Sequence, residues 1–261
     1  TKGELLIVYG RRRTGKTRLL KESKPHTYFL LTQEDPLTNL NSFKEVLSTT
    51  THKAVASLQT PSWEEFFREA IDLIPDQHII ILDEFPYLIK QDKTILSQFH
   101  KIYDEYLKPK GITLVLCGSS ISIMTDILEY SSPLYGRRTG SLKVQPFTFA
   151  ETKEFLNATT EDAMRYQLIF GGVPYYLEQV SKKSFKNNMK ELFFRDAGIF
   201  IDEATFLLKQ DFKEIRNYLV ILKAIAKGKV TFKEIADQTY LDKGSLSKYI
   251  TNLEFLEIIK N

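Results

Sequence analysis

Apolar and polar positions along the chain change rhythm about halfway. In the first half, short apolar runs rich in β-branched residues occur at Leu5–Tyr9, Thr27–Leu31, His78–Leu82 and Ile112–Cys117, with a shorter one near Ser141–Val144. Runs of that length without polar alternation predict strands buried on both faces. The segments between them carry apolar residues at helical spacing. Ser62 and Glu65 make a capping-box pattern after Pro61, and Trp63, Phe66, Phe67, Ala70, Ile71 and Ile74 follow at helical intervals. Ser42 and Glu45 predict another helix start before Val46 and Leu47. A third helix is predicted with Ile95, Phe99, Ile102 and Tyr106 on one face, ending before Pro109-Lys110-Gly111. Such alternation predicts an α/β fold, a parallel sheet with helices on both faces.

From about Phe149 the strand signal disappears. Residues 149–211 read as short helices, broken at Phe170-Gly171-Gly172-Val173-Pro174. The last segment opens with a helix carrying Tyr218, Leu219, Leu222 and Ile225 and ending at Lys227-Gly228. Thr231 with Glu234 predicts a capping box there, and Val230 with Ile235 a hydrophobic staple. A final helix follows Gln238–Asp242 with Leu246, Tyr249, Ile250 and Leu253 inward. Three short helices with a tight turn between the last two predict a helix-turn-helix of winged type. The expected domains are a core at 1–148, a helical lid at 149–211 and a winged helix-turn-helix at 212–261.

Composition narrows the class. At 261 residues, 43% hydrophobic and 26% charged, the chain suits a globular protein of two or three domains. No apolar stretch reaches membrane-spanning length, no signal-peptide pattern is seen, and no membrane partner is expected. The single cysteine, Cys117, closes the run Leu114-Val115-Leu116 and reads as a buried strand residue in a reducing, cytoplasmic setting. Net charge is +3, and its location matters more than its size. Residues 212–261 hold 9 basic and 6 acidic side chains, so the remaining 27 and 27 cancel and the whole excess lies in the last segment. That is a weak pointer to an anionic partner there.

The chemistry starts directly after the first apolar run. Gly10-Arg11-Arg12-Arg13-Thr14-Gly15-Lys16-Thr17 matches G-x-x-x-x-G-K-T between a predicted strand and a predicted helix, with Arg18 next in line. In this arrangement main-chain N–H groups cradle nucleotide phosphates, the lysine reaches the β/γ-phosphate oxygens and the threonine hydroxyl ligands Mg²⁺. The three arginines flank phosphates or pair with nearby acids. A second motif stands where the first one requires it. Ile79-Ile80-Ile81-Leu82-Asp83-Glu84 is a buried strand with two carboxylates at its carboxyl tip, where open α/β sheets bind ligands. Asp83 is expected in the Mg²⁺ shell and Glu84 as the group orienting the attacking water.

Two further loops carry candidate groups. Gly118-Ser119-Ser120 follows the apolar run Leu114–Cys117, so Ser119 or Ser120 can sense the γ-phosphate or cap the next helix. Gly136-Arg137-Arg138-Thr139-Gly140 offers Arg137 and Arg138 as an arginine finger, or as a solvated basic loop. A finger supplied by a neighbouring subunit predicts a homo-oligomer and slow hydrolysis by one chain alone. Ser247, Lys248, Thr251 and Asn252 are expected on the exposed face of the last helix, in reach of DNA phosphates and base edges.

With these motifs in order, the chain resembles the archaeal-type ATPase family, a branch of the STAND/AAA+ class of P-loop NTPases. The resemblance rests on residues 10–17, 81–84, Cys117-Gly118-Ser119-Ser120, 134–138, 171–177 and the terminal helix-turn-helix. It implies a core sheet in which the acid-bearing strand is not adjacent to the loop strand, then a helical lid and a winged helix. It also implies ATP with Mg²⁺ as ligands, and Pro174, in Gly172-Val173-Pro174, as a contact of the adenine base. The absence of an Asn-Lys-x-Asp motif favours ATP over GTP. Family members carry an Arg-Glu segment ahead of the first strand and a wing after the last helix, so a fragment of a longer protein is expected. The function expected is Mg²⁺-dependent ATP binding and hydrolysis that moves a lid and winged helix. The alternative is a nucleotide-gated signalling or DNA-binding switch with very slow turnover.

Overall fold

The computed structural model describes residues 2–23, 26–195 and 198–260. The chain divides into two compact units, Thr1–Pro146 and Phe147–Asn261. The first unit is built on five strands, β1 (Leu5–Tyr9), β2 (Thr27–Leu30), β3 (Ile79–Asp83), β4 (Thr113–Gly118) and β5 (Gly140–Lys143). They form one sheet in the order β2-β3-β4-β1-β5, and every neighbouring pair is parallel. The acid-bearing β3 is therefore separated from the loop-bearing β1 by β4, as the resemblance implied.

Both faces of this sheet are covered, which is why its strands read as unbroken apolar runs. Leu5, Ile7, Ile80, Leu82, Leu114 and Leu116 pack on one face with Phe43, Leu47, Trp63, Phe66, Phe67 and Phe99. Val8, Ile81, Val115 and Cys117 pack on the other with Leu20. The helices of this unit are α1 (Lys16–Lys21), α2 (Pro36–Thr51), α3 (Trp63–Ala70), α4 (Pro86–Gln91), α5 (Ile95–Lys101) and α6 (Ile121–Leu128). The aromatic residues of α2 and α3 form a contact network, with Phe43 beside Trp63, Phe66 and Phe67 at ring-centre distances of 5.2–5.9 Å.

Three local expectations need correction. Helix α2 starts at Pro36, not after Ser42. Asp35 accepts hydrogen bonds from the Leu37 and Thr38 N–H groups, and Pro36 stands at the first turn, where its missing N–H costs nothing. Ser42 and Glu45 are simply exposed positions of the same helix. At α3, Ser62 accepts the Glu65 N–H at 3.2 Å, but the Glu65 carboxylate turns to Arg68, so only half of the capping box forms. The helix of Ile95–Tyr106 changes pitch midway: α5 passes into a π-helical stretch, Ile102–Leu107.

The second unit is helical: α7 (Phe149–Leu156), α8 (Thr160–Phe170), α9 (Pro174–Leu177), α10 (Phe185–Phe193), α11 (Glu203–Asp211), α12 (Arg216–Ala226), α13 (Phe232–Thr239) and α14 (Lys243–Phe255). It holds two clusters. Tyr166, Phe170, Val173, Tyr176, Leu177 and Phe200 form one, and Leu208, Tyr218, Ile221, Ile235, Leu246 and Leu253 the other. Leu208 lies on α11, so that helix packs with the three that follow it. Thr231 and Glu234 do form a reciprocal capping box at α13. The staple does not form, because Val230 is 78% exposed. Tyr240, in the left-handed conformation, ends α13, and Asp242 caps α14 through the Ser245 N–H, which makes the tight turn.

Candidate functional site

The site grows from the carboxyl ends of the parallel strands. After Tyr9 the chain turns at Gly10, whose φ is +147° and where a Cβ would collide with the Val144 carbonyl oxygen. No other residue can let the loop pass this close to the chain leaving β5. Arg13 (φ 70°) and Gly15 (φ 90°) turn the backbone twice more before α1 begins at Lys16. Thr14 Oγ1 closes the loop on the Arg11 carbonyl at 2.8 Å. The Lys16 ammonium folds back into the loop and donates to the Gly10 and Arg11 carbonyls at 2.8 and 2.9 Å. Burial pulls the Lys16 pKa down; the nearby carboxylates of Glu84 and Asp83 act the other way.

Asp83, at the tip of β3, meets this loop directly. Thr17 Oγ1 donates to Asp83 Oδ2 at 2.7 Å, a contact between residues 66 positions apart in sequence. The tyrosine of β2, Tyr28, donates to the same oxygen at 2.8 Å. The Glu84 N–H donates to Asp83 Oδ1 at 2.9 Å. Asp83 itself is 2% exposed, so these donors stand in for water around a buried carboxylate.

Glu84 leaves β3 in the left-handed region, φ 57°, an uncommon conformation for a residue with a side chain. The turn aims its carboxylate at β4 instead of continuing the strand. There Ser119 Oγ lies 2.8 and 2.9 Å from the two carboxylate oxygens, and the Arg12 guanidinium approaches to 3.6 Å. The Phe85 N–H donates to the Cys117 carbonyl and fixes the chain beyond the turn. The two serines divide their work: Ser119 holds Glu84, while Ser120 occupies the N-cap position of α6 without a side-chain cap bond. Burial, followed by the charge of Asp83, raises the Cys117 pKa, so this thiol stays protonated and inert.

Lys16, Thr17, Asp83, Glu84, Ser119 and Arg12 thus converge. Arg11 and Thr14 are joined within the loop, and Arg18 bonds Glu22 one turn along α1. Arg137 and Arg138 do not join the cluster. They precede β5, whose first residue, Gly140, pairs with Leu6 near the amino end of β1. Arg137 Nε donates to Asp104 at 3.1 Å, and Arg138 donates to the Leu128 carbonyl and lies over the Tyr135 ring. At about 3.3 Å per strand residue, roughly 15 Å of sheet separates this end from the phosphate loop. In the second unit, Gly171 caps α8 and Pro174 opens α9, the stop and restart predicted from composition. On α14, Ser247, Lys248 and Thr251 are exposed, whereas Asn252 turns inward and donates to Tyr218 Oη at 2.8 Å. Tyr28 was missed by the sequence reading. Nothing in Thr27–Leu31 marks it until β2 is known to lie beside β3.

The donor set suits a hard cation. Thr17 donates its hydroxyl hydrogen bond to Asp83 and so keeps its oxygen lone pairs available, next to a carboxylate. Among the described residues no group of three or more His, Cys, Asp or Glu side chains could hold a metal. A threonine hydroxyl beside one carboxylate is the kind of oxygen pair Mg²⁺ uses together with phosphate oxygens and water.

Comparisons with known proteins bear on the family and the fold. A sequence profile of the ATPase domain found predominantly in Archaea matches residues 1–180. An uncharacterised protein of Methanocaldococcus jannaschii is 38% identical over 262 residues, a match covering 98% of this chain and 57% of that protein. The chain thus spans little more than half the length of that relative. Among solved structures, a Walker-type ATPase of Pyrococcus abyssi superposes with a TM-score of 0.71 at 24% identity, covering 97% of this chain and 84% of that one. The ORC2 protein of Aeropyrum pernix, solved in ADPNP–ADP complexes, gives 0.58 at 12% identity, covering 99% and 81%. At these identities the superpositions establish the fold alone. No helix among the described residues is long and apolar enough to cross a membrane.

Proposed function

The chain belongs to the family of ATPase domains found predominantly in Archaea, and from that premise we propose that it binds ATP with Mg²⁺ and hydrolyses it. The observation that carries this reading is the 2.7 Å bond from Thr17 to Asp83, which joins the phosphate-loop motif to the acidic strand across an intervening strand. Thr17 and Asp83 would hold Mg²⁺, which when bound supplies neutralisation of phosphate charge. The amides of residues 10–15 and the ammonium of Lys16 bind and orient the triphosphate, with Arg11, Arg12, Arg13 and Arg18 flanking it. Glu84 orients the attacking water and accepts its proton, and Ser119 fixes the carboxylate that does so. Pro174 is proposed to touch the adenine base, and Arg137 or Arg138 to act on a neighbouring copy of the chain. The lid and the helix-turn-helix respond to the nucleotide.

Phosphate release by the full chain tests the assignment. Glu84→Gln is expected to lower turnover by about 10²–10⁴-fold while nucleotide stays bound. Lys16→Ala is expected to weaken both binding and turnover. Unchanged turnover in both variants overturns the reading.

A slow, switch-like cycle is the second reading, favoured by the engagement of Glu84. Both its carboxylate oxygens lie within hydrogen-bond reach of Ser119 Oγ and Arg12 stands nearby, so the water-orienting group starts occupied. The switch would act on a partner, with DNA the candidate for the exposed Ser247, Lys248 and Thr251. It predicts different oligomer size or duplex retention with ATP and ADP, and salt-sensitive retention weakened by Lys248→Ala. Equal behaviour with both nucleotides excludes it.

A further inference from the structure

The carboxylate of Asp83 is more constrained than a metal-shell acid needs to be. A carboxylate offers about four lone-pair directions. On Oδ2, Thr17 Oγ1 and Tyr28 Oη take two, and on Oδ1 the Glu84 N–H takes a third. The thiol of Cys117, a weak donor, lies against the same group. Of the strong acceptor directions, the one left lies on Oδ1. Of the three strong donors, Thr17, Tyr28 and Glu84, Tyr28 alone belongs to neither motif, and it comes from β2, next to β3 in the sheet. Its ring is held in place from above: the Lys21 ammonium stands 4.7 Å from the ring centre, in cation–π contact.

We propose that Tyr28 is a positioning residue that confines Asp83 to presenting a single oxygen, Oδ1, and so sets a preference for Mg²⁺ over Ca²⁺. The inference rests on the Mg²⁺-nucleotide reading above. Its physical basis is the different demand of the two ions. Mg²⁺ is content with one carboxylate oxygen, water and phosphate, whereas Ca²⁺ often takes both oxygens of a carboxylate and a larger, looser shell. The Tyr28 hydroxyl keeps Oδ2 turned toward β2 and Thr17, which denies the second ion its bidentate grip. It acts through Asp83 and through Thr17, whose hydroxyl shares Oδ2 with it and lies within hydrogen-bond reach of the Tyr28 hydroxyl. Partners of this kind shift metal affinity by about 10–100-fold when removed.

Tyr28→Phe isolates the effect, since it keeps the ring and its contact with Lys21 and deletes only the hydroxyl. A fluorescent ATP analogue is titrated into the full chain with EDTA, with Mg²⁺ and with Ca²⁺. In the unmodified chain Mg²⁺ should raise affinity more than Ca²⁺ does. In Tyr28→Phe the Mg²⁺ enhancement should fall about tenfold or more, the Ca²⁺ enhancement should hold or rise, and the EDTA affinity should stay the same. The ratio of the two enhancements decides: a general loosening of the site lowers both alike, and an unchanged ratio overturns the proposal. If neither ion raises affinity in the unmodified chain, the parent assignment of Thr17 and Asp83 fails instead. That result is recognisable without the variant.

Discussion

Gly10–Gly15 and Gly136–Gly140 are both short glycine-bounded loops carrying arginines, and the fold places them at opposite ends of one sheet. The first leaves the carboxyl end of β1, where Thr17, Lys16 and Arg12 face the acids that end β3. The second enters the amino end of β5, where Arg137 pairs with Asp104, itself bonded to His100. One loop gathers groups from distant parts of the chain into a cluster. The other fastens the sheet's rear edge and presents its arginines away from that cluster. Similar composition thus acquires opposite roles from strand direction alone. In a parallel sheet all carboxyl ends point the same way, so a loop's place before or after its strand decides which end it occupies.

Substituting the glycines tests this contrast most strongly. Gly10→Ala drives a methyl into the Val144 carbonyl and strains φ, and is expected to cost about 3 kcal/mol or more and to remove nucleotide binding. Gly136→Ala meets nothing within 4 Å and incurs only the left-handed conformation, about 1–2 kcal/mol, with binding unchanged. Thermal unfolding with and without nucleotide measures both, and equal losses would erase the distinction drawn between the loops.

Ser119→Ala is next in size. Losing the hydroxyl that holds the Glu84 carboxylate should lower turnover about tenfold or more at unchanged nucleotide affinity, since bonds to a charged group carry about 1.5–3 kcal/mol. A change in affinity instead would mean that Ser119 serves binding and not Glu84. The smallest effect separates the arginines. Arg12→Ala is expected to lower turnover at every dilution. Arg137→Ala, breaking a pair that is 40% and 32% exposed, should cost under about 1 kcal/mol of stability and leave turnover of dilute protein intact. A loss that appears only as protein concentration rises would sharpen the comparison by assigning Arg137 to a neighbouring copy.

The sequence by itself determined the parallel sheet, the phosphate loop and the acid pair, because each is written in contiguous residues. Buried strands announce themselves as apolar runs, and Gly10–Thr17 and Asp83-Glu84 fall at their ends. It also placed the capping box of Thr231 and Glu234, a device closed within one turn. Where local signals competed it erred: Asp35-Pro36 starts α2 ahead of Ser42, and Asn252 gives up solvent for Tyr218. Only the tertiary structure decided that Tyr28 serves Asp83, that Ser119 and not Ser120 holds Glu84, and that Arg137 lies at the far end of the sheet. These depend on strand order and on the turn at Glu84. A hydrogen bond between residues 35 to 66 positions apart has no local pattern, because its geometry is set by which strands become neighbours.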